Sequence, residues 1–390
     1  MLLVAAALAG CSRGAGTRYI TIGTDAVATV RALATADHAE LEVLEVGADA
    51  AIVAIDAGEL DALSERMHAR FDRCGGFMLH ESLEDARAVV QRERRPIDYT
   101  LDRGEAVRAV LPTLDPARIL ATIGELSAMP NRYYQSTNGA AASAWLRDRW
   151  RSFTHRADVT VELVDHGWAQ KSVVLTIPGA SRPGEIVVLG GHLDSIAPGG
   201  AKSAAPGADD DASGIATLTE VARALLASDV RPARTIVVIA YAAEEVGLRG
   251  SQAIAKAFQQ QKRDVVGALQ LDMTNYQGSD KDIWLMKDFT SAAQNAFVIQ
   301  LIETYVGATW GLDACGYACS DHASWYRVGV PASMPFESRM AQRNKSIHTR
   351  NDTLERSGNN AAHALKFARL AAAYAIELGK GDLGEITARR

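Results

Sequence analysis

The sequence predicts an α/β protein: a doubly wound, mostly parallel sheet flanked by helices, preceded by a small α+β unit of ferredoxin-like order. Three observations predict this. The stretches KSVVLTIPG, EIVVLGGHLDS, ARTIVVIAYAAEE and VVGALQLDMTNY are nearly continuous apolar runs, as expected of strands buried on both faces. Helix-like segments such as GIATLTEVARALLAS separate them, giving the alternation of a layered α/β domain. Near the N-terminus, short strands and helices follow the order β-α-β-β-α-β, the pattern of a small split sandwich.

The elements follow in order. MLLVAAALAGC is a short apolar run ending in small residues and Cys11. Residues 1–18 are therefore expected to be a signal or lipoprotein-type leader, with Cys11 a lipidation candidate at a lipobox-like Leu8-Ala9-Gly10-Cys11. The expected location is outside the cytoplasm: secreted, periplasmic, or held at the outer membrane if Cys11 carries lipid. Residues 19–92 form the small unit. YITIG, LEVLEV, AAIVAID and GGFMLH are its strands. DAVATVRALA is helix-like, and ELDALSERMHARF puts Leu60, Leu63, Met67 and Phe71 on one helical face. SLEDARAVVQ opens with Ser82 and carries Asp85 at the capping-box position.

QRERRPIDYTLDRGE is charged, contains Pro96 and lacks apolar periodicity, so residues 93–108 are expected to be a linker. Its arginines suit a processing protease, and equally a solvated connector that is never cut. Residues 109–390 form the larger domain, entered through the helices DPARILATIGELSA and GAAASAWLRDRWRSF.

Composition excludes several classes. With 48% hydrophobic and 23% charged residues, 390 residues suffice for one large domain and a smaller one. The net charge is −6 without a long Lys/Arg block, so a nucleic-acid partner has no electrostatic footprint. No apolar run reaches the roughly 18 to 20 residues that span a bilayer. No period of about 20 to 50 residues recurs, which excludes a solenoid. A monomer is expected. Of the four cysteines, Cys315 and Cys319 enclose a very short loop in CGYACSDH. A four-cysteine zinc site would need a second pair, which the chain lacks, and an exported protein can keep a disulfide there. Cys74 is then odd, and is expected to be a free, buried thiol.

In doubly wound sheets, ligands bind beyond the carboxyl ends of the strands. EIVVLGG is followed by His192 and Asp194, TIVVIAYAA by Glu244 and Glu245, and VVGALQL by Asp272. RNKSIHT supplies His348, and APGADDDASG places Asp209, Asp210 and Asp211 before a helix. Singly, each has an ordinary explanation. A histidine after a strand is usually structural, a Glu pair is a solvated turn, and an Asp before a helix is an N-cap. Converging on consecutive strand ends, they suit a divalent metal instead. Two histidines and several carboxylates without a thiolate cluster favour zinc. A carboxylate from the triplet could bridge two ions. Of Glu244 and Glu245, one can ligate while the other acts as general base. His38, His68, His80, His155, His166, His322 and His363 are not expected to be ligands.

GGHLDS, PGADDDASG, AYAAEEVGLRGSQ, LQLDMTNY, CGYACSDHASW and PFES…IHT together resemble the M28 family of zinc aminopeptidases, in particular its secreted bacterial leucyl aminopeptidases of the Vibrio type. The resemblance runs from about Asp115 to Leu378, and the small unit resembles the propeptide of the same exported enzymes. It implies two Zn²⁺ ions. His192 and Asp272 would be terminal ligands of one, Glu245 and His348 of the other, and Asp210 would bridge them across a cis Asp210–Asp211 peptide. Glu244 would be the general base, Asp194 the carboxylate that orients a ligand imidazole, and Tyr317 a donor to the developing oxyanion. A Cys315–Cys319 disulfide would hold Tyr317. Met273, Cys315, Cys319, Met334, Phe336 and Ile347 would line an apolar pocket for the N-terminal side chain. Met340 and Arg343 stand where aromatic residues are expected, which departs from a strict leucine preference. The implied activity is release of N-terminal, leucine-like residues from peptides with a free amino terminus. The small unit would act as an intramolecular inhibitor and chaperone. Two alternatives remain: a carboxypeptidase-, aminoacylase- or glutaminyl-cyclase-like enzyme of the same fold, and a non-catalytic binding module.

Overall fold

The computed structural model describes residues 16–28, 30–31, 41–47, 50–71, 76–87 and 96–384. Cys11 with most of the leader, Cys74, and the arginine-rich stretch ahead of Pro96 lie outside the described residues.

The small unit holds four strands: β1 (Thr17–Gly23), β2 (Leu41–Val46), β3 (Ala50–Asp56) and β4 (Phe77–His80). They lie in the order β2-β3-β1-β4, every pair antiparallel. Alternate residues Ile20, Ile22, Val53 and Ile55 leave one face of this sheet. They pack with Leu60, Leu63 and Met67 of the Leu60–Phe71 helix. Ser82 caps the following helix by accepting the Asp85 N–H at 3.0 Å.

The larger domain contains β5 (Thr160–Val164), β6 (Ser172–Ile177), β7 (Arg182–His192), β8 (Val230–Pro232), β9 (Arg234–Tyr241) and β10 (Asp264–Gln270). Then come β11 (Ile283–Met286), β12 (Trp310–Asp313), β13 (Ala332–Ser333), β14 (Pro335–Phe336) and β15 (Gly381–Leu383). The main sheet has the order β13-β10-β7-β9-β6-β5. Strands β13, β10, β7 and β9, from one edge inward, are mutually parallel. Both faces of this sheet are covered. Val187 and Leu189 of β7 and Val238 and Ala240 of β9 pack on the helices Ala212–Ala227 and Ala362–Gly379. The intervening Ile186, Val188, Val237 and Ile239 pack on Ile254, Ala255 and Trp325. This is why those strands carry unbroken apolar runs.

The sheet is nevertheless mixed. KSVVLTIPG forms β6, which is antiparallel to both β9 and β5. Only residues 178–181 join β6 to β7, whereas a parallel return needs a crossover of about a dozen residues.

Residues 97–103 lie along the Ala362–Gly379 helix. Ile97, Tyr99 and Leu101 pack against the core. The N–H groups of Asp102 and Arg103 each donate to Glu377 Oε2 at 2.9 Å. No helix among the described residues is long and apolar enough to cross a membrane.

Candidate active site

β7 and β9 are neighbours and deliver their ends to one place. His192 is the last residue of β7, and Glu244 and Glu245 follow β9. Asp194 ties these ends together. Its Oδ1 accepts the Glu244 N–H at 3.0 Å and its Oδ2 the Glu245 N–H at 3.1 Å. The same carboxylate lies 3.5 Å from His192 Nδ1, which leaves Nε2 of that ring facing inward.

The three consecutive aspartates have three separate tasks. Asp211 caps the Ala212–Ala227 helix by accepting the Gly214 N–H at 2.9 Å. It also accepts the N–H groups of His192 at 3.0 Å and Met273 at 3.1 Å. One carboxylate thereby joins three chain segments, and a Cβ on Gly214 would lie 2.4 Å from its Oδ1. Asp209 accepts from Asn344 Nδ2 at 3.1 Å and turns away from the centre. Asp210 is the one that points inward. Its Oδ1 lies 3.0 Å from His192 Nε2 and its Oδ2 lies 2.9 Å from His348 Nε2. The Asp210–Asp211 peptide is cis.

The remaining groups close around Asp210. Asp272 Oδ1 is 3.6 Å from His192 Nε2, and Glu245 Oε2 is 3.3 Å from His348 Nε2. Each is essentially buried. Three residues on these loops, Ala243, Met273 and His348, have left-handed φ values of 59°, 57° and 55°, a conformation that non-glycine residues adopt at a cost and that gathers at functional loops. Glu244 is fully buried among His192, Glu245, Asp272 and Asp321. Burial, opposed by His192 but reinforced by Asp321 and Glu245, raises its carboxyl well above the usual range. Burial and the Asp210 carboxylate push Glu245 up to about 7.

These side chains fit divalent metal ions. His192, Asp210 and Asp272 form one group whose donor atoms lie within 4.8 Å of one another. His68, Glu245 and His348 form a second. Both carboxylate oxygens of Glu244 and of Glu245, Asp272 Oδ1, His192 Nε2 and His348 Nε2 are buried and make no hydrogen bond. Such groups are costly to bury unpaired. A cation among them offsets their repulsion, and an imidazole and carboxylate donor set suits zinc.

Next to the metal groups is a narrow apolar cavity. Met273, Tyr317, Cys319, Met334, Phe336 and Ile347 line it, together with Asp272 of the first metal group. Cys315 packs in the same cluster without lining the cavity, and is joined to Cys319 by a disulfide of S–S 2.02 Å. Met340 and Arg343 also line it, and Arg343 Nη1 donates to the Met340 carbonyl at 2.8 Å.

Several participants are missing from the sequence-based expectation. Asp352 accepts the N–H groups of Asp209 at 3.2 Å and Asp210 at 3.0 Å. Arg132, fully buried, donates to the carbonyls of Leu193 and Gly207 at 2.9 Å each. Asp321 accepts from Gln270 Nε2 at 3.1 Å, and burial pushes it up to about 7. SDHASW contained the signal for Asp321, since it lies one residue from His322. His322 itself reaches the Asp288 carbonyl at 3.1 Å and stands outside the metal groups. The largest departure is His68. It comes from the small unit, yet its Nδ1 lies 2.8 Å from His348 Nδ1.

The family model described as Peptidase family M28 matches residues 172–374. Leucine aminopeptidase 1 of Metarhizium robertsii is 36% identical over 318 residues, which is 78% of this chain and 77% of that protein. Among solved structures, the LapA aminopeptidase of Legionella pneumophila superposes with a TM-score of 0.79 at 28% identity. That match covers 94% of this chain and 99% of LapA. LapB of the same organism gives a TM-score of 0.78 at 29% identity, over 93% of this chain and 99% of its own.

Proposed function

This chain belongs to peptidase family M28, and from that premise we propose that its buried centre holds two zinc ions and releases apolar N-terminal residues from peptides. The chain is a metallo-aminopeptidase, and relatives carry the name leucine aminopeptidase. The observation that carries the two-ion reading is Asp210, whose two oxygens face His192 on one side and His348 on the other. His192 and Asp272 would hold one ion, Glu245 and His348 the other, with Asp210 shared.

Bound zinc supplies Lewis acidity towards a carbonyl oxygen and makes water more acidic. The chain supplies the rest. Glu244, buried beside the metal groups with both carboxylate oxygens free of hydrogen bonds, would take a proton from the attacking water as its oxygen bonds to the scissile carbon. It would return that proton to the amine nitrogen as the C–N bond breaks. Tyr317 would donate its hydroxyl to the carbonyl oxygen as charge develops there. The walls formed by Met273, Met334, Phe336 and Ile347 suit an apolar first side chain, and Arg343 at the same cavity widens the preference beyond leucine. The Cys315–Cys319 disulfide supports export to an oxidising compartment. The small unit would serve as an intramolecular cover, since its Ser64 donates to the Glu245 carbonyl at 2.7 Å.

Hydrolysis of leucine p-nitroanilide, with and without a chelator and beside the N-acetylated substrate, tests this reading. Chelator-sensitive cleavage of the free-amine substrate alone is expected, and stronger after the small unit is trimmed. Equal cleavage of the acetylated substrate would overturn the specificity for a free N-terminus. Equal activity of intact and trimmed protein would remove the covering role.

A further inference from the structure

The Leu60–Phe71 helix has two working faces. Leu60, Leu63 and Met67 enter the core of the small unit. Asp61, Ser64, Glu65 and His68 follow the same i, i+3, i+4, i+7 spacing on another face, and all four contact the larger domain. Asp61 Oδ1 accepts from the Tyr134 hydroxyl at 3.1 Å, and Glu65 Oε1 accepts the Gly199 N–H at 3.2 Å. Ser64 donates to the Glu245 carbonyl. A Cβ on Gly247 (φ 105°) would lie 2.7 Å from the Phe77 ring, so the two units meet there with backbone against side chain.

His68, also buried, reaches His348 from this face. Its ring stands edge-on to that of His348, with centroids 4.0 Å apart and an interplanar angle of 67°. Two Nδ1 atoms 2.8 Å apart need one proton between them, one ring donating and the other accepting. The surroundings decide which. His348 Nε2 faces Asp210 and Glu245, so that nitrogen is the one offered to a metal, and the proton of the neutral ring sits on Nδ1. His68 Nδ1 therefore accepts. Its Nε2–H is directed at Ser64 Oγ, 3.0 Å away, and the Glu245 carbonyl, 3.3 Å away. Both nitrogens of His68 are engaged, and its second bond leads back to the chain segment that carries Glu245.

We propose that His68 is a positioning residue of the metal centre, lent by the small unit: it accepts the Nδ1–H of His348 and so fixes the tautomer and ring orientation of that ligand. Outer partners of this kind set ligand geometry and basicity. The inference rests on the two-metal reading above. It adds that His348 has this outer partner only while the small unit is docked, whereas His192 has its own, Asp194, within the larger domain.

The test is a titration of the metal-free full chain with Co²⁺, followed by its visible spectrum and by competition with a chelator. Wild type, His68→Ala, His68→Asn and His68→Gln are compared. His68→Ala is expected to weaken one of two bound ions by about 10- to 100-fold and to change the d–d bands, the other ion remaining. His68→Asn, whose amide oxygen falls near the position of Nδ1, should restore the wild-type spectrum, and His68→Gln should not. Should the alanine variant fail to fold, the Asn and Gln variants carry the same comparison. Two ions bound with unchanged affinity and spectrum in His68→Ala would overturn the inference and leave the two-metal reading intact. Rescue by Gln instead of Asn would also overturn it, because His68 would then act through Nε2 as a ligand. A wild-type chain that binds no Co²⁺ would overturn both.

Discussion

His192 closes a buried central strand, while His348 sits on a loop and leans on a residue from another unit. The contrast extends to their outer partners. The His192 ring is held by Asp194, which also fixes the backbone of Glu244 and Glu245. Asp211 fixes the His192 main chain while capping a helix. All of these belong to one sheet edge. On the other side, His348 has a left-handed backbone and its outer nitrogen meets His68. The outer partner of one histidine therefore comes from the sheet, and that of the other from docking. On the two-metal reading proposed above, the two ions would then differ in how firmly they are held while the small unit is docked.

The comparison breaks first at Asp210, whose two oxygens face both histidines. Asp210→Ala should empty both, and turnover of leucine p-nitroanilide should fall by more than the roughly 10²- to 10⁴-fold attributable to a general base. Zinc analysis of the dialysed variant checks this, and one ion retained at wild-type affinity would show that Asp210 is not shared. Glu244→Ala comes next. In the proposed roles it takes away the proton carrier and no ligand, so turnover should drop by about 10²- to 10⁴-fold with two zinc ions still bound. Loss of zinc along with activity would make Glu244 a ligand.

Asp194→Ala sharpens the contrast from the side of the sheet. It takes the carboxylate from beside the His192 ring, whose Nδ1 keeps the residue-194 carbonyl at 3.2 Å, and the acceptor from two buried N–H groups. The His192 position should bind metal about 10- to 100-fold more weakly, and each orphaned N–H should destabilise the fold by about 1–3 kcal/mol. Denaturant unfolding and Co²⁺ titration report the two effects separately. Weakening confined to the His348 position would reverse the assignment of Asp194.

What could be foreseen in the sequence divides along the same line. Val187 and Leu189 face one layer and Ile186 and Val188 the other. A strand buried on both faces leaves an unbroken apolar run, and its carboxyl end marks where ligands gather. That logic reached His192, Glu244, Glu245 and Asp272. It failed for the direction of β6, because an apolar run carries no sign of direction and only the four-residue link to β7 betrays it. It also failed for Asp352 and Arg132, solitary residues that act on backbone atoms distant in sequence. His68 was missed for a different reason. Asp61, Ser64, Glu65 and His68 form a polar helical stripe, and polarity alone does not distinguish a face in water from a face against another domain.

That stripe also supplies the smallest test. Asp61 touches neither a metal group nor the apolar cavity; it receives hydroxyl groups from Tyr133 at 3.4 Å and Tyr134 at 3.1 Å. Asp61→Ala should loosen docking by only about 0.5–1.5 kcal/mol, leaving every ligand in place. If the His348 position depends on docking, even this modest change should speed chelator extraction of one zinc ion and leave the other's rate unaltered, since local opening exposes only the side the small unit covers. Equal acceleration of both ions would mean that the centre opens as a whole. No acceleration, with faster proteolysis between the units, would mean that the small unit separates without disturbing His348. The two positions would then be equal in strength despite their different construction.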